Sequence, residues 1–256
     1  MAIIIKNNEQ IKKMRVACEI VAKTLELIEK NIKPGITTNE LDIIASDYIK
    51  SRGAVSSFLN FPGHGDTFDY PKNTCISVNN EIIHGIPGLR KLKDGDIISI
   101  DVGAYINGFH GDAARTFLVG EVDDKYKNLV LVTEKSFFEG IKFAREGNHL
   151  HEISAAIGDY VEAHGYSVIR ESFAGHGIGK TLHEDPSIPN HRVLGRGPKL
   201  YRGMTLAIEP MVNEGSHHYK ILEDGWTVVT KDGKYSAHYE NTILITDNEP
   251  EILTLL

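Results

Sequence analysis

Apolar residues recur at helical spacing between Asn8 and Ile32. Ile11, Met14, Ala17, Cys18, Val21, Leu25 and Ile28 share one face. Lys33-Pro34-Gly35 stops that run. Thr38 reads as the N-cap of a second helix that reaches Arg52, with Leu41, Ile44, Ala45, Tyr48 and Ile49 inward and Gly53 ending it. The arrangement returns 112 residues along the chain, as a helix from about Asp124 to Glu146 and another that ends at Gly165. At that offset Lys33 matches Arg145, Gly35 matches Gly147 and Glu40 matches Glu152; Asp47-Tyr48 matches Asp159-Tyr160, and Gly53 matches Gly165. Two ordinary amphipathic helix pairs could agree this far by chance. The reading preferred here is a duplicated half of two helices and a β-segment, with halves roughly 1–120 and 121–256. Folded face to face, they make a single domain with a central cleft.

The β-segments carry carboxylates. Asp96–Ile106 and Phe109–Phe117 are strand-like and flank Asn107-Gly108, a strong two-residue hairpin signal. A two-residue loop pairs Ile106 with Phe109, Gly103 with Asp112 and Asp101 with Ala114. Asp101 and Asp112 then share a face as diagonal neighbours, with Cβ atoms roughly 7 Å apart or less. Like charges that close repel unless something positive lies between them. Glu209, in Met204–Val212, and Glu240, in Ser236–Ile245, sit in similarly apolar strand-like runs. An ionised carboxylate in a buried strand costs several kcal/mol unless it is paired or bound to metal. One such residue is ordinarily an exposed strand position or a salt bridge. Four, two of them convergent, favour a metal cluster.

The twelve histidines divide by setting. His84 lies in Glu81–Pro87, and His176 and His183 lie in Ala174–Pro186. Glycines flank His176, where the backbone can approach a ligand closely. His217 and His218 occupy a polar loop, and His149 and His151 flank a helix start as capping or surface residues. His110 adjoins Asp112 and is read as facing the other side of its strand. Gly179-Lys180-Thr181 imitates the end of a phosphate-binding loop, but Ala174 stands where that motif needs its first glycine. There is no HExxH pair for a helix-borne zinc.

Composition narrows the class. Lys and Arg number 28 against 35 Asp and Glu, a net charge of −7, and no basic run suits a phosphate backbone. Hydrophobic content of 41% is that of a globular protein rather than a disordered one. Cys18 and Cys75 are too few for a disulfide framework and read as reduced thiols. The opening MAIIIKNNEQ lacks a signal-peptide core, and no stretch approaches a membrane span. These features predict a cytoplasmic chain with no membrane or nucleic-acid partner.

His84 in HGIP, Asp101 in IDVGA, Asp112 in FHGDAARTF, His176 and His183 in GHGIGKTLHEDP, Glu209 in IEPM and Glu240 in HYENT form an ordered series. With Asn73–Asn79 and Asp224–Val228, this series resembles the active-site signature of type I methionine aminopeptidases over nearly the whole chain, in the short bacterial form. The resemblance implies an α+β pita-bread fold, with two pseudo-symmetric halves around a central dinuclear metal cleft. It implies two divalent ions: Asp101 on one, His176 and Glu209 on the other, and Asp112 and Glu240 bridging. It places His84 and His183 on the substrate and the developing oxyanion. Tyr70, Cys75, Phe173, Leu182 and Trp226 fall where the family lines its methionine pocket, with Phe68 near it.

Four carboxylates and one imidazole suit Mn, Fe, Co or Zn. A shared water of lowered pKa would attack the first peptide carbonyl, with Glu209 as proton shuttle. The implied substrates are peptide or nascent-protein N-termini beginning with Met before a small second residue. Met1-Ala2 of the chain itself fits that rule. The ribosome is a candidate partner, and the chain is taken as a monomer. Prolidase or aminopeptidase P, which share the five ligands, and a non-catalytic module binding protein or RNA remain the alternatives. The former usually carry an extra N-terminal domain, and the latter typically lose ligands that are all present here.

Overall fold

Asn7 opens the first helix, α1 (Asn8–Glu29), with a reciprocal cap. Its Oδ1 accepts from Gln10 N at 3.0 Å, and its own N–H donates to Gln10 Oε1 at 2.9 Å. The seven apolar positions of the helical pattern are all buried. α1 stops three residues short of Ile32, in a turn closed by Asn31 N to Ile28 O at 2.9 Å. The cap of α2 (Thr38–Ser51) is Thr37, not Thr38: Thr37 Oγ1 accepts from Glu40 N at 3.1 Å, and Thr37 N donates to Glu40 Oε2 at 2.8 Å. The Thr38 hydroxyl is taken by Gly88, donating to its O at 3.1 Å and accepting from its N at 2.9 Å.

α3 (Asp124–Ile141) ends before the expected Glu146. A helix extended that far would overrun the turns at 142–148 that deliver α4 (Leu150–Ala163), where Glu146 N bonds Thr246 O and Gly147 N bonds Leu200 O, each at 3.0 Å. α2 and α4 have the same length, 14 residues, at the offset seen in the sequence. Gly35 and Gly147 precede them with φ near +93° and +92°, and Gly53 and Gly165 follow them with φ near +72° and +81°. The paired glycines of the repeat therefore do the same work in each half, taking a left-handed conformation that side chains resist.

The structure, a computed structural model, describes residues 2–255; Met1, on which the self-processing expectation falls, lies outside them. α1 and α2 cover an antiparallel sheet formed by Val55–Ser56, Thr74–Val78, Ile97–Ile106 and Phe109–Leu118. Its hairpin has the predicted register, with Gly103 opposite Asp112 and Asp101 opposite Ala114. α3 and α4 cover a five-stranded sheet ordered Glu251–Ile252, Asn241–Leu244, Thr205–Ile208, Gly175–Gly177, Glu184–Ile188. Two three-stranded sheets flank these: Ser236–His238 with Met211–Asn213 and Ser167–Val168, and Tyr219–Ile221 with Val228–Thr230 and Glu81–Ile83. None of the described helices is long and apolar enough to cross a membrane.

The two large sheets meet edge to edge. Glu240 N donates to Ala114 O at 2.9 Å and Ala114 N to Glu240 O at 3.3 Å. Thr242 Oγ1 accepts from Asp112 N at 3.1 Å and donates to Asp112 O at 2.8 Å. This seam carries one acidic residue from each half within a few residues of the other, and it fixes both backbones before any side chain is considered.

Candidate metal centre

The hairpin points Asp101 and Asp112 into the cleft on the face set by their register. Glu209 follows the last residue of Thr205–Ile208, and Glu240 precedes the first of Asn241–Leu244, so both sit at strand ends rather than within strands. His176 is central in Gly175–Gly177 and pairs with Ala207, two residues before Glu209. Its flanking glycines serve the sheet rather than a ligand. A Cβ at Gly175 would lie 2.5 Å from Ala207 O, and one at Gly177 would lie 2.2 Å from Asp185 O. Only bare backbone lets the neighbouring strands approach His176 that closely.

Ligand atoms of Asp112, His176 and Glu240 lie within 4.8 Å of one another, and all three residues are buried. Glu209 Oε1 is 3.5 Å from His176 Nε2. Asp101 and Asp112 are close enough to hydrogen-bond one another, which requires a shared proton. Burial raises the pKa of every carboxyl here. Asp101 rises to about 7. Asp112 is pushed well up by burial, then by Asp101 and Glu209. Glu209 rises through burial and Asp101, and Glu240 through burial and then Asp112, Glu209 and Asp101. Four acids in mutual repulsion gain from cations placed among them.

The donor atoms fit a metal. Oδ1 of Asp101 and Oδ1 of Asp112 are buried with no hydrogen-bond partner, although buried oxygens are ordinarily satisfied. His176 Nδ1 lies 2.9 Å from Gly177 O, so a proton on Nδ1 leaves the Nε2 lone pair facing the carboxylates. Burial lowers the His176 pKa to about 3, which keeps the ring neutral and able to ligate.

The remaining predicted residues, Phe68 apart, form the walls of a cavity of about 520 Å³. His84 holds φ at +59°, a backbone strain of order 1–3 kcal/mol for a non-glycine residue. Gly85 behind it packs so closely that a Cβ would lie 2.3 Å from Ile76 O. The strained backbone turns the His84 ring into the cleft, edge-on to Phe173 at 5.7 Å and Trp226 at 6.3 Å. His183 stands edge-on to His176, with centroids 4.5 Å apart. Tyr70, Cys75, Phe173, Leu182 and Trp226 all line the cavity. The Tyr70 hydroxyl lies 3.0 Å from both Thr74 O and Gly85 O, which fixes its ring against Trp226.

Two expectations change. Phe68 does not line the cavity: the residue is 53% exposed, and it contributes only its carbonyl, 2.9 Å from Trp226 Nε1. His110 shares the face of Asp112, because residues two apart on a strand point the same way. It lies near enough to His183 that this ring, after burial, helps lower its pKa to about 4. Other residues were missed. Phe58 and Phe61 enter the cavity, Phe61 edge-on to His183 at 5.2 Å. His238 places Nε2 3.7 Å from Glu209 Oε2. Its position two residues before Glu240 was the available signal.

A pita-bread cleft floored by four carboxylates and a neutral imidazole defines a metal-dependent hydrolase. The comparisons agree. The model of metallopeptidase family M24 matches residues 12–247. The methionine aminopeptidase of Clostridium perfringens is 56% identical over 254 residues, 99% of each chain. Methionine aminopeptidase 1 of Bacillus subtilis is 52% identical over 252 residues, 98% of this chain and 99% of that one. The crystal structure of the Thermotoga maritima methionine aminopeptidase superposes with a TM-score of 0.94 at 45% identity, covering both chains completely. The chain belongs to metallopeptidase family M24 and, within it, to the bacterial type I methionine aminopeptidases.

Proposed function

We propose that this chain removes the N-terminal methionine from peptides and nascent proteins whose second residue is small, using two divalent ions. The observation that carries this reading is the juxtaposition of an acidic floor, Asp101, Asp112, His176, Glu209 and Glu240, with an apolar wall of Tyr70, Cys75, Phe173, Leu182 and Trp226. Asp101 would chelate one ion, His176 and Glu209 the other, and Asp112 and Glu240 would bridge them. The oxygen-rich set suits Mn, Fe, Co or Zn. When bound, the ions supply Lewis acidity and lower the pKa of water at the site to about 7, from about 15.7 in bulk.

The chain's own residues do the rest. Glu209, with Oε1 3.5 Å from His176 Nε2 on the floor of the cleft, accepts the proton of the attacking water and returns it to the leaving amine. Burial lowers the His84 pKa to about 4 and that of His183 in the same direction, so both rings are neutral N–H donors at pH 7. His183 hydrogen-bonds the oxyanion that develops at the scissile carbonyl, and His84 contacts the substrate beside it. The wall accepts a flexible thioether, to which Trp226 and Tyr70 offer ring contact. A free α-amine completes recognition at the acidic floor.

Residues 1–256 act as one catalytic domain of two halves, roughly 1–120 and 121–256, meeting at the seam between Ala114 and Glu240. The enzyme works as a cytoplasmic monomer, and the ribosome is its candidate partner during synthesis. Peptides beginning Met-Ala, Met-Lys, Leu-Ala and Ala-Pro, with N-acetylated Met-Ala, test the reading. Rapid cleavage of Met-Ala alone is expected. Preference for Ala-Pro would assign the site to aminopeptidase P chemistry instead. Equal cutting of Leu-Ala would refute the methionine pocket, and hydrolysis of the acetylated peptide would refute the role of the free amine.

A further inference from the structure

We propose that Lys6 is a positioning residue for His183, acting through Glu184. Lys6 lies on the segment before α1, far from the cleft in sequence, yet its Nζ meets Glu184 Oε2 at 2.6 Å. Both side chains are sealed from solvent, 3% and 5% exposed. Nζ also donates to Ile4 O at 3.2 Å, and the Lys6 backbone N–H is anchored on Gly203 O at 2.8 Å. A buried ion pair is weak ground for stability, because desolvation cancels much of its attraction. What this pair does is hold a particular turn.

Glu184 directly follows His183. Its second oxygen, Oε1, accepts from Lys180 N at 2.8 Å and Thr181 N at 3.4 Å. Thr181 Oγ1 donates to His183 O at 3.1 Å, and Gly179 O accepts from His110 N at 2.8 Å. A Cβ at Gly179 would lie 2.5 Å from Glu184 Oε1 and 2.6 Å from Lys6 Cε. This explains the Gly179-Lys180-Thr181 sequence that imitated a phosphate loop. Its glycine makes room for the ion pair, and its two following N–H groups are consumed by the Glu184 carboxylate. Lys6 therefore fixes Glu184, Glu184 closes the turn, and the turn sets the angle at which His183 enters the cleft between Phe61 and His176.

The inference rests on the oxyanion role given to His183, and its test separates the two. Lys6→Met, His183→Ala and the double variant are compared for kcat, KM, metal content and folded fraction on a Met-Ala peptide. The imidazole Cε1–H NMR resonance of His183, identified by its absence in His183→Ala, is followed in the metal-free protein. Lys6→Met should lower kcat by about 10- to 100-fold at parental metal content, the loss a small misalignment of a catalytic group produces. It should shift the His183 resonance, and it should cost nothing further once His183 is alanine. Equal losses in both backgrounds, or an unmoved resonance, overturn the proposal and leave Lys6 a merely structural residue. Parental kcat in His183→Ala would remove the role of His183 while the resonance still reports whether Lys6 orients the ring. Should Lys6→Met not fold, Glu184→Gln keeps the acceptor for Lys180 N and removes the charge. It should reproduce the shift and the non-additive loss, and parental behaviour in it is equally fatal.

Discussion

Replacing Asp101 with Asn should stabilise the metal-free protein at neutral pH while removing the chelating ligand of one ion. Asp101 is half-buried with its Oδ1 sealed from solvent, and its pKa rises from 3.8 to about 7, first through desolvation. Between those values the unfolded chain releases the proton and the folded chain keeps it. Stability due to this group is therefore fully present below pH 3.8 and is lost as pH rises to about 7. At 1.36 kcal/mol per unit the loss at pH 7.5 is about 4 kcal/mol, of which about 3 kcal/mol is incurred between pH 5 and pH 7.5. Asparagine is neutral like the protonated acid, keeps an oxygen that can accept from Asp112, and carries no such penalty. In excess chelator the variant should melt above the parent at pH 7.5, by roughly 8–16 °C at about 2–4 °C per kcal/mol. The gap should narrow markedly at pH 5, and comparing the two proteins cancels the opposing titration of the buried histidines. Divalent metal should reverse the order, because the parent gains the binding energy of both ions and the variant lacks the chelating ligand of one. Thermal melts at the two pH values, with and without metal, decide it. A metal-free variant less stable than the parent at pH 7.5, or a gap that does not shrink on acidification, would refute the account of these carboxylates as a strained acidic floor.

Chelation should abolish peptidase activity, and Asp112→Ala and Glu240→Ala should lose bound metal and activity together; elemental analysis beside a Met-Ala assay measures both, and turnover in a verified metal-free sample would end the metal reading. His84→Ala and His183→Ala should lower kcat by about 10²–10³-fold with metal content intact. His176→Ala should instead lose metal, and a metal-free His183→Ala protein would reverse those assignments.

Much of this was legible because it is local. Helical periodicity placed α1 and α2; the apolar stripe of α1 is buried throughout, whereas α2 buries Leu41, Ala45 and Ile49 beside Thr38, Asp42 and Ser46 and leaves Ile44 and Tyr48 half-buried. Asn107-Gly108 set the hairpin register, and a register of period two then determines which face Asp101 and Asp112 share. The paired glycines at 35 and 147 and at 53 and 165 marked a repeat because a left-handed residue is needed at both ends of α2 and of α4. Local rules failed at boundaries, where a neighbour outbid the cap or the propensity. Gly88 claims the Thr38 hydroxyl, and the bonds to Thr246 and Leu200 end α3 early. Only tertiary structure could bring Glu240 beside Asp112, put Lys6 against Glu184, turn Phe68 out of the cavity and Phe61 into it. Each of these depends on contacts between segments far apart in the chain, whose pairing is chosen by burial and by the geometry of the seam between sheets. Periodicity reports which face of an element is apolar; it carries no information about what that face will meet.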